Sequence, residues 1–429
     1  MSDRSPPQSS REKKRGRKLG GCYHCGSSLH RAKQCPNATC RICSEIGHDV
    51  GGCPNRPLCP VDLGMFKSAN STHRFKYIEL FAGIGGFRVA LDKLHGNCVL
   101  ASEVDRFCKK NYEANWGDRP AGDICRIEKE QIPEHDLLVG GFPCQPFSSS
   151  GNGLGVNDPR GRGVLFREIV RILKDKQPKV FLLENVRGLY LHDDGNTLKM
   201  VVKELEESGY IVKYEMLDAV MLLPQERCRL FFVGVRNDLK QTQEFEFPSL
   251  PKLERGVEDI LHRKFDEEDS NLGKLTLNDN QLGKVRAQRY TKEHPEARFL
   301  SNPKVAAKTI QSSYTKYMVG SQFVPVEFGK DDKWRKFSSR EVARLQGFPE
   351  NFILCSDRAY HMIGNAVAPP VIAVIAAALL EYVGLGLDGH KDWGWSVSKA
   401  LLLSAVPNDA RKNDLEAKLS NVNQTETKY

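Results

Sequence analysis

The chain is 429 residues long, 40% hydrophobic and 27% charged, which excludes a fibrous or wholly disordered protein and leaves room for two or three domains. Its net charge of +9 is lopsided: residues 1–60 hold 11 Lys and Arg against 4 Asp and Glu, and the rest is nearly balanced. A basic N-terminus of this kind suits a polyanion, most simply nucleic acid, or is a solvated tail. It has no apolar run of the secretory kind, and the longest apolar run, Val371 to Leu380, is too short to cross a bilayer, so no membrane partner is expected.

Residues 1–20 read as a disordered basic arm, in which Arg11 to Lys18 can serve nuclear import, phosphate binding or both. The nucleus is therefore the expected compartment, with cytoplasm or nucleoid as the alternative. Residues 21–60 repeat the spacing C-x2-C-x4-H-x4-C: first Cys22, Cys25, His30 and Cys35, then Cys40, Cys43, His48 and Cys53. Three thiolates and one imidazole make a closed tetrahedral zinc site, which folds a segment too small for a core. Two structural Zn2+ ions are expected. The pattern resembles the zinc knuckle family, modules that grip single-stranded nucleic acid, with Tyr23 and Ile42 at the stacking or apolar position. Zinc sites that bind nothing further are the plainer reading. Cys59 lies outside both copies.

Residues 61–74 read as a linker, after which strands and helices alternate. Phe75 to Phe81 reads as a strand, Ala82 to Gly86 as a tight turn and Phe87 to Leu94 as a helix. Such a turn lets a nucleotide-like ligand approach the backbone, but Arg88 stands where the dinucleotide fingerprint has its third glycine. That argues against NAD and leaves other adenosine ligands open. The strand Asn97 to Ser102 ends in Glu103, where a carboxylate can accept both ribose hydroxyls. In Gly122-Asp123-Ile124 the acid can accept from an adenine amino group or cap a helix, and the third strand before it is too irregular to place.

Asp136 to Val139 reads as a buried strand, ended by Gly140 and Gly141, and Phe142-Pro143-Cys144-Gln145-Pro146-Phe147 follows. Proline on both sides stiffens the loop, and a cysteine there sits where open α/β sheets keep their chemistry. Cys144 is either a nucleophile or a buried core cysteine, and the flanking prolines favour the first. The strand Lys179 to Leu183 leads into Glu184-Asn185-Val186, placing an acid near the nucleophile strand. A helix from Thr197 to Glu207 and strands from Ile211 to Leu217 and Leu230 to Val235 follow, with Gln225-Glu226-Arg227-Cys228-Arg229 between the last two. From Arg236 to about Lys330 the rhythm stops. A capped helix, Phe337 to Pro349, then leads to Gly364-Asn365-Ala366-Val367 and the apolar final helix. Residues after about 385 read as peripheral, the last twenty as polar and disordered.

Together FAGIGG, Glu103, GDI, GFPCQPF, ENV, QERCR, RLQGFP and GNAV resemble the cytosine-5 methyltransferase family over roughly residues 75–385. The resemblance implies a doubly wound, mostly parallel α/β sheet that binds S-adenosylmethionine, interrupted by a target recognition domain. The implied layout is a catalytic domain at 75–235, a recognition domain at 236–330, a return to the catalytic domain at 331–385 and a partly disordered extension at 386–429. It assigns Cys144 as nucleophile and Glu184 to ring nitrogen 3 and the exocyclic amine of cytosine. Asn185 would hold the cysteine loop, and Arg227 and Arg229 belong to the same catalytic set, Arg229 holding the pyrimidine oxygen and nearby phosphate. Phe81, Gly83, Gly85, Gly86, Glu103, Asp123, Ile124, Asn365 and Ala366 match cofactor-contacting positions. The expected function is methylation of carbon 5 of cytosine in DNA through a covalent cysteine adduct with a flipped base. RNA is the alternative substrate, and a catalytically inactive nucleic-acid-binding protein is the second alternative.

Overall fold

Six segments, most of them apolar, pair into one sheet in the order β2-β1-β3-β4-β6-β5. The computed structural model describes residues 73–142, 162–262, 272–318, 320–355, 358–386 and 392–425. The paired cysteine motifs and Cys144 therefore lie outside the described residues. The strands are β1 (Phe75–Leu80), β2 (Gly96–Ser102), β3 (Leu137–Gly141), β4 (Val180–Val186), β5 (Tyr210–Asp218) and β6 (Cys228–Arg236). Interleaved with them are α1 (Gly86–Leu91), α2 (Arg106–Trp116), α3 (Arg162–Lys176), α4 (Arg187–Leu191) and α5 (Asn196–Glu206). The expected doubly wound, mostly parallel sheet is present. β1 runs parallel to β2 on one side and to β3 on the other, so the winding reverses at β1 and leaves a crevice at the carboxyl edge.

Two departures from the alternation have local causes. The irregular third strand is reduced to isolated bridging, with Ala121 paired in parallel to Ser102, because Pro120 lacks an amide donor and Gly122 follows. β6 runs antiparallel to both β4 and β5. Only residues 219–227 join β5 to β6, too short a connection for a parallel crossover. The antiparallel run brings the start of β6 to the carboxyl end of β4, where Arg229 pairs with Val186.

Beyond β6 lie α6 (Leu272–Leu275), α7 (Asp279–Ala287), α8 (Arg289–Glu293), the hairpin β7 (Val324–Glu327) with β8 (Lys330–Arg335), and α9 (Ser339–Leu345). Leu277, Val285, Phe323 and Trp334 form a small separate core here. Leu253, Val257, Ile260, Ala307 and Ile310 instead join the main core, so the independently packed part is narrower than residues 236–330. Its two crossings meet at one carboxylate. Glu341 of α9, fully buried, accepts from the amide of the outgoing His262 at 2.9 Å and from the guanidinium of the returning Arg335 at 2.8 and 2.9 Å. Ser338 caps α9 in a reciprocal box with Glu341, and Gly347 ends the turn at φ +82°.

Last come α10 (Ala359–Asn365), α11 (Pro369–Tyr382), α12 (Trp393–Ser404) and α13 (Ala410–Thr425). The stretch Ala359–Tyr382 is long and apolar enough to cross a membrane, but 83% of its apolar 18-residue window is buried inside the molecule, as a core helix is. The C-terminal residues differ from the peripheral, disordered reading. Leu401 and Leu402 of α12 are fully buried, and α13 buries Leu415 and Leu419, four residues apart on one face. Two leucines in an otherwise polar helix are too weak a pattern to read without the surface that they cover.

Candidate active site

At the carboxyl edge a cleft of about 320 Å³ opens over β1, β3 and β4. Phe81, Gly83, Gly86, Glu103, Asn365 and Ala366 line it, and so do Glu184, Asn185, Arg227 and Arg229. Residues from five separated motifs thus face one space. Gly85, Asp123 and Ile124 do not line it. Gly85 lies beneath the turn at φ +81°, where a Cβ would come within 2.4 Å of the Trp116 ring, so its glycine serves conformation and packing. Asp123 caps a short helical turn by accepting from the Cys125 amide at 3.1 Å, the capping alternative weighed above. Ile124 is buried beside it.

One side of the cleft is a backbone cradle. Phe81 takes φ 55°, a strained conformation for a non-glycine residue, and Gly83 follows at φ +54° with open space on its Cβ side. The Gly83 amide donates to Glu103 at 2.8 Å, and the Asp105 amide donates to the other carboxylate oxygen at 2.6 Å. Burial pushes the Glu103 carboxyl up, against these amide hydrogen bonds. Each oxygen keeps acceptor capacity for a ligand hydroxyl. Asp105 and Cys108, which sequence reasoning passed over, also line this side; Asp105 caps α2 two residues after Glu103, a readable signal. Arg88 points elsewhere, into a buried pair with Asp118 and a 3.1 Å contact with Asp92.

The other side carries the polar groups. Glu184 is 8% exposed, and its Oε1 lies 3.1 Å from Nε of Arg229. Burial raises the Glu184 carboxyl, while Arg229 and Arg227 work to lower it. In the sheet register Glu184 stands beside Gly141, where a Cβ would come within 3.4 Å of Oε2. Asn185 donates to the carbonyl of Phe142 at 3.2 Å, tying down the residue that enters the cysteine loop. Arg227 is buried and donates to the carbonyls of Gly364 at 3.2 Å and Ala366 at 2.6 Å. Its Nε and Nη1 have no partner among the described residues.

Two glutamines complete this wall. Gln225, fully buried, donates to the carbonyl of Leu345 at 3.1 Å and to Oε1 of Gln346 at 3.0 Å, and accepts from the Ile310 amide at 3.0 Å. Gln346 donates in turn to the Ala366 carbonyl at 2.6 Å. The QERCR and RLQGFP motifs are therefore joined at the Asn365–Ala366 segment. Sequence reasoning quoted both motifs but had no means of pairing them. Val367, the last residue of the GNAV motif, also faces the cleft, as do His361 and Met362 of α10, which carried no sequence signal.

The model of the C-5 cytosine-specific DNA methylase family matches residues 75–381. The chain belongs to that family. Type II methyltransferase M.DsaV of Dactylococcopsis salina is 39% identical over 319 residues, covering 73% of this chain and 88% of the relative. M1.ScrFI of Lactococcus lactis subsp. cremoris is 41% identical over 315 residues, covering 72% and 79%. Among solved structures, Entamoeba histolytica methyltransferase EhMeth aligns with a TM-score of 0.57 at 20% identity, over 71% of this chain and 98% of that one. S. pombe Dnmt2 methyltransferase gives 0.54 at 19%, over 72% and 98%. At those identities the structural matches speak for the fold. The methylase is thus a DNA (cytosine-5-)-methyltransferase dependent on S-adenosylmethionine, and the cleft sits where its fold places ligands. Among the described residues no cluster of His, Cys, Asp or Glu could hold a metal ion, and the zinc motifs lie outside them.

Proposed function

We propose that the cleft methylates cytosine with Cys144 as nucleophile, Glu184, Asn185, Arg227 and Arg229 around the base, and the Phe81–Gly86 turn with Glu103, Asn365 and Ala366 around the cofactor. One observation carries this reading: Glu184, Asn185 and Arg229 converge beside Gly141, three residues before Cys144. That much chain spans at most about 11 Å. S-adenosylmethionine, when bound, supplies an electrophilic methyl group; an open backbone cradle with the half-buried Glu103 carboxylate suits its ribose. Asp123 and Ile124 remain candidates for its adenine at the rim.

The base is unreachable inside a duplex and has to be flipped out. The Cys144 thiolate would add to carbon 6, and the electron pair released into the ring makes carbon 5 nucleophilic. Glu184, its carboxyl raised by burial, can share a proton with ring nitrogen 3 as charge builds there, while Arg229 both orients Glu184 and faces the pyrimidine oxygen. After methyl transfer, loss of the carbon-5 proton expels the thiolate and restores the ring. Transfer of labelled methyl groups to duplex DNA, compared with total RNA, tests the reading. Labelling of RNA alone would overturn it in favour of the RNA substrate, and labelling of neither in favour of an inactive binder.

The N-terminal motifs are proposed as two zinc knuckles that add affinity and no chemistry, on the strength of their paired spacing and the net +7 of residues 1–60. Deleting residues 1–60 should leave single-turnover methylation nearly unchanged at saturating DNA while weakening binding. The lost affinity should depend on salt, each phosphate contact contributing a slope of about 0.9 on duplex and about 0.7 on single strands. If Tyr23 stacks on bases, the loss is larger on single strands, by about 1–3 kcal/mol. The intact chain should carry two zinc ions by elemental analysis. A truncated enzyme with an unchanged affinity and salt slope would assign the motifs to another partner.

A further inference from the structure

The match to the family ends at residue 381, and α12 and α13 lie beyond it. α12 packs on α11 and α1, whereas the side-chain donors of α13 reach one short piece of chain. Leu253 to His262 is irregular, mostly buried with Glu254 and Glu258 exposed, and its single turn of tight helix at Val257–Asp259 leaves carbonyls without regular backbone donors. Lys418 of α13 donates to the Glu254 carbonyl at 3.1 Å. Arg411 donates to the carbonyls of Glu258, at 3.1 Å, and Leu261. Asp409 fixes the Arg411 fork, accepting from Nε at 3.0 Å and from Nη2 at 2.7 Å, which aims the remaining nitrogen at the two carbonyls. From α9, Arg344 donates to the Ile260 carbonyl at 2.8 Å.

The held piece leads outward. Past His262, which is pinned to Glu341, the chain runs to the segment with its own small core and returns through Arg335 to the same carboxylate. The outgoing crossing is therefore gripped by α9 from within the family region and by α13 from outside it.

We propose that α13 is a brace that sets the pose of the DNA-recognition segment, with Arg411 and Lys418 as its positioning residues. This rests on reading residues 272–335 as that segment. The described lining of the cleft comes from the ends of β1, β3, β4 and β6, from α1, α2 and the turn before it, and from α10 with the bend after it, and the hydrogen bonds of Arg411 and Lys418 go to none of these residues. Loosening the crossing changes how DNA is presented and leaves cofactor binding and chemistry alone.

The test uses the full-length Arg411→Ala/Lys418→Ala enzyme, with Lys418→Ala alone as the milder variant. Hydrogen exchange of residues 253–262 is followed beside the KM for DNA, the KM for S-adenosylmethionine and kcat at saturating DNA. Site discrimination is read by bisulfite sequencing of a treated plasmid, comparing the preferred site with its one-base variants. Losing charge-assisted hydrogen bonds should speed exchange in 253–262 about tenfold, with a rise in the KM for DNA and a fall in discrimination of similar size. Exchange in β1 to β4, kcat and the cofactor KM should stay within about twofold, and Lys418→Ala should move the same quantities less far. Arg411→Lys, which keeps one donor, should recover part of the discrimination.

Unchanged exchange in 253–262 overturns the brace itself. Faster exchange with an unaltered KM for DNA and unaltered discrimination overturns the proposal differently, showing that residues 272–335 do not read DNA. A parallel fall in kcat and cofactor affinity would reduce α13 to a general structural part and overturn it as well.

Discussion

Cys144→Ala is expected to abolish methyl transfer, by at least about 10³-fold, while S-adenosylmethionine still binds with near-native affinity. The separation follows from where the parts sit. The cofactor cradle is made by the turn after β1 and by Glu103 after β2, and its hydrogen bonds run among Gly83, Glu103 and Asp105. These described bonds hold the cradle through residues after β1 and β2. Calorimetry would give the cofactor affinity and labelled-methyl transfer the activity. A companion experiment places 5-fluorocytosine in the DNA. Fluorine cannot leave as a proton does, so a covalent enzyme–DNA complex should survive a denaturing gel with the native enzyme and be missing with Cys144→Ala. Turnover retained in the alanine variant would sink nucleophilic addition by this residue.

The second large effect is on stability. Arg335 is 2% exposed and Glu341 fully buried, so Arg335→Met should cost about 3–5 kcal/mol by stranding a buried carboxylate. Its pH dependence identifies the cause. Burial works to raise the Glu341 carboxyl, but Arg335 and the amides of His262 and Ser338 outweigh it and hold it below the usual range. A depressed folded pKa contributes stability that is present above the unfolded value, about 4.3, and lost as pH falls through the folded value. Without Arg335 the balance reverses and burial raises the carboxyl, so the variant loses stability as pH rises above that range. The gap between wild type and Arg335→Met should therefore be wide at pH 7 and narrow near pH 4. Urea unfolding at both values measures it. An equal gap at the two pH values would assign the loss to packing of the arginine stem instead of to its charge.

Both results depend on juxtapositions of different origin. β1, β3 and β4 were readable because short apolar runs ended by glycine or acid, alternating with helical stretches, read as buried strands of an α/β sheet. Glu103 and Glu184 were readable for the same reason: an acid directly after such a run lies at its carboxyl end, where ligands bind. Gly85 and Asp123 show the limit of that logic. Their spacing marks the turn, while the turn's handedness and its caps decide which atoms face the cleft and which face Trp116 or Cys125.

Local pattern by itself determined the strand and helix alternation of residues 75–235, the order of the motifs, the capped helix at Ser338 and the lopsided charge. These rest on periodicity, capping chemistry and composition, which act over a few residues. Only the tertiary structure decided that Gln225 reaches Gln346 and that Arg227 reaches Ala366, contacts more than a hundred residues apart in the chain. The same is true of Glu341, which receives both crossings, and of α13, which supplies donors to carbonyls of residues 254–261. The physical reason is plainest for Gln225, Arg227 and Glu341, which are buried. A buried polar group has to be satisfied by some partner, but the requirement does not say which one, and no local signal encodes the choice.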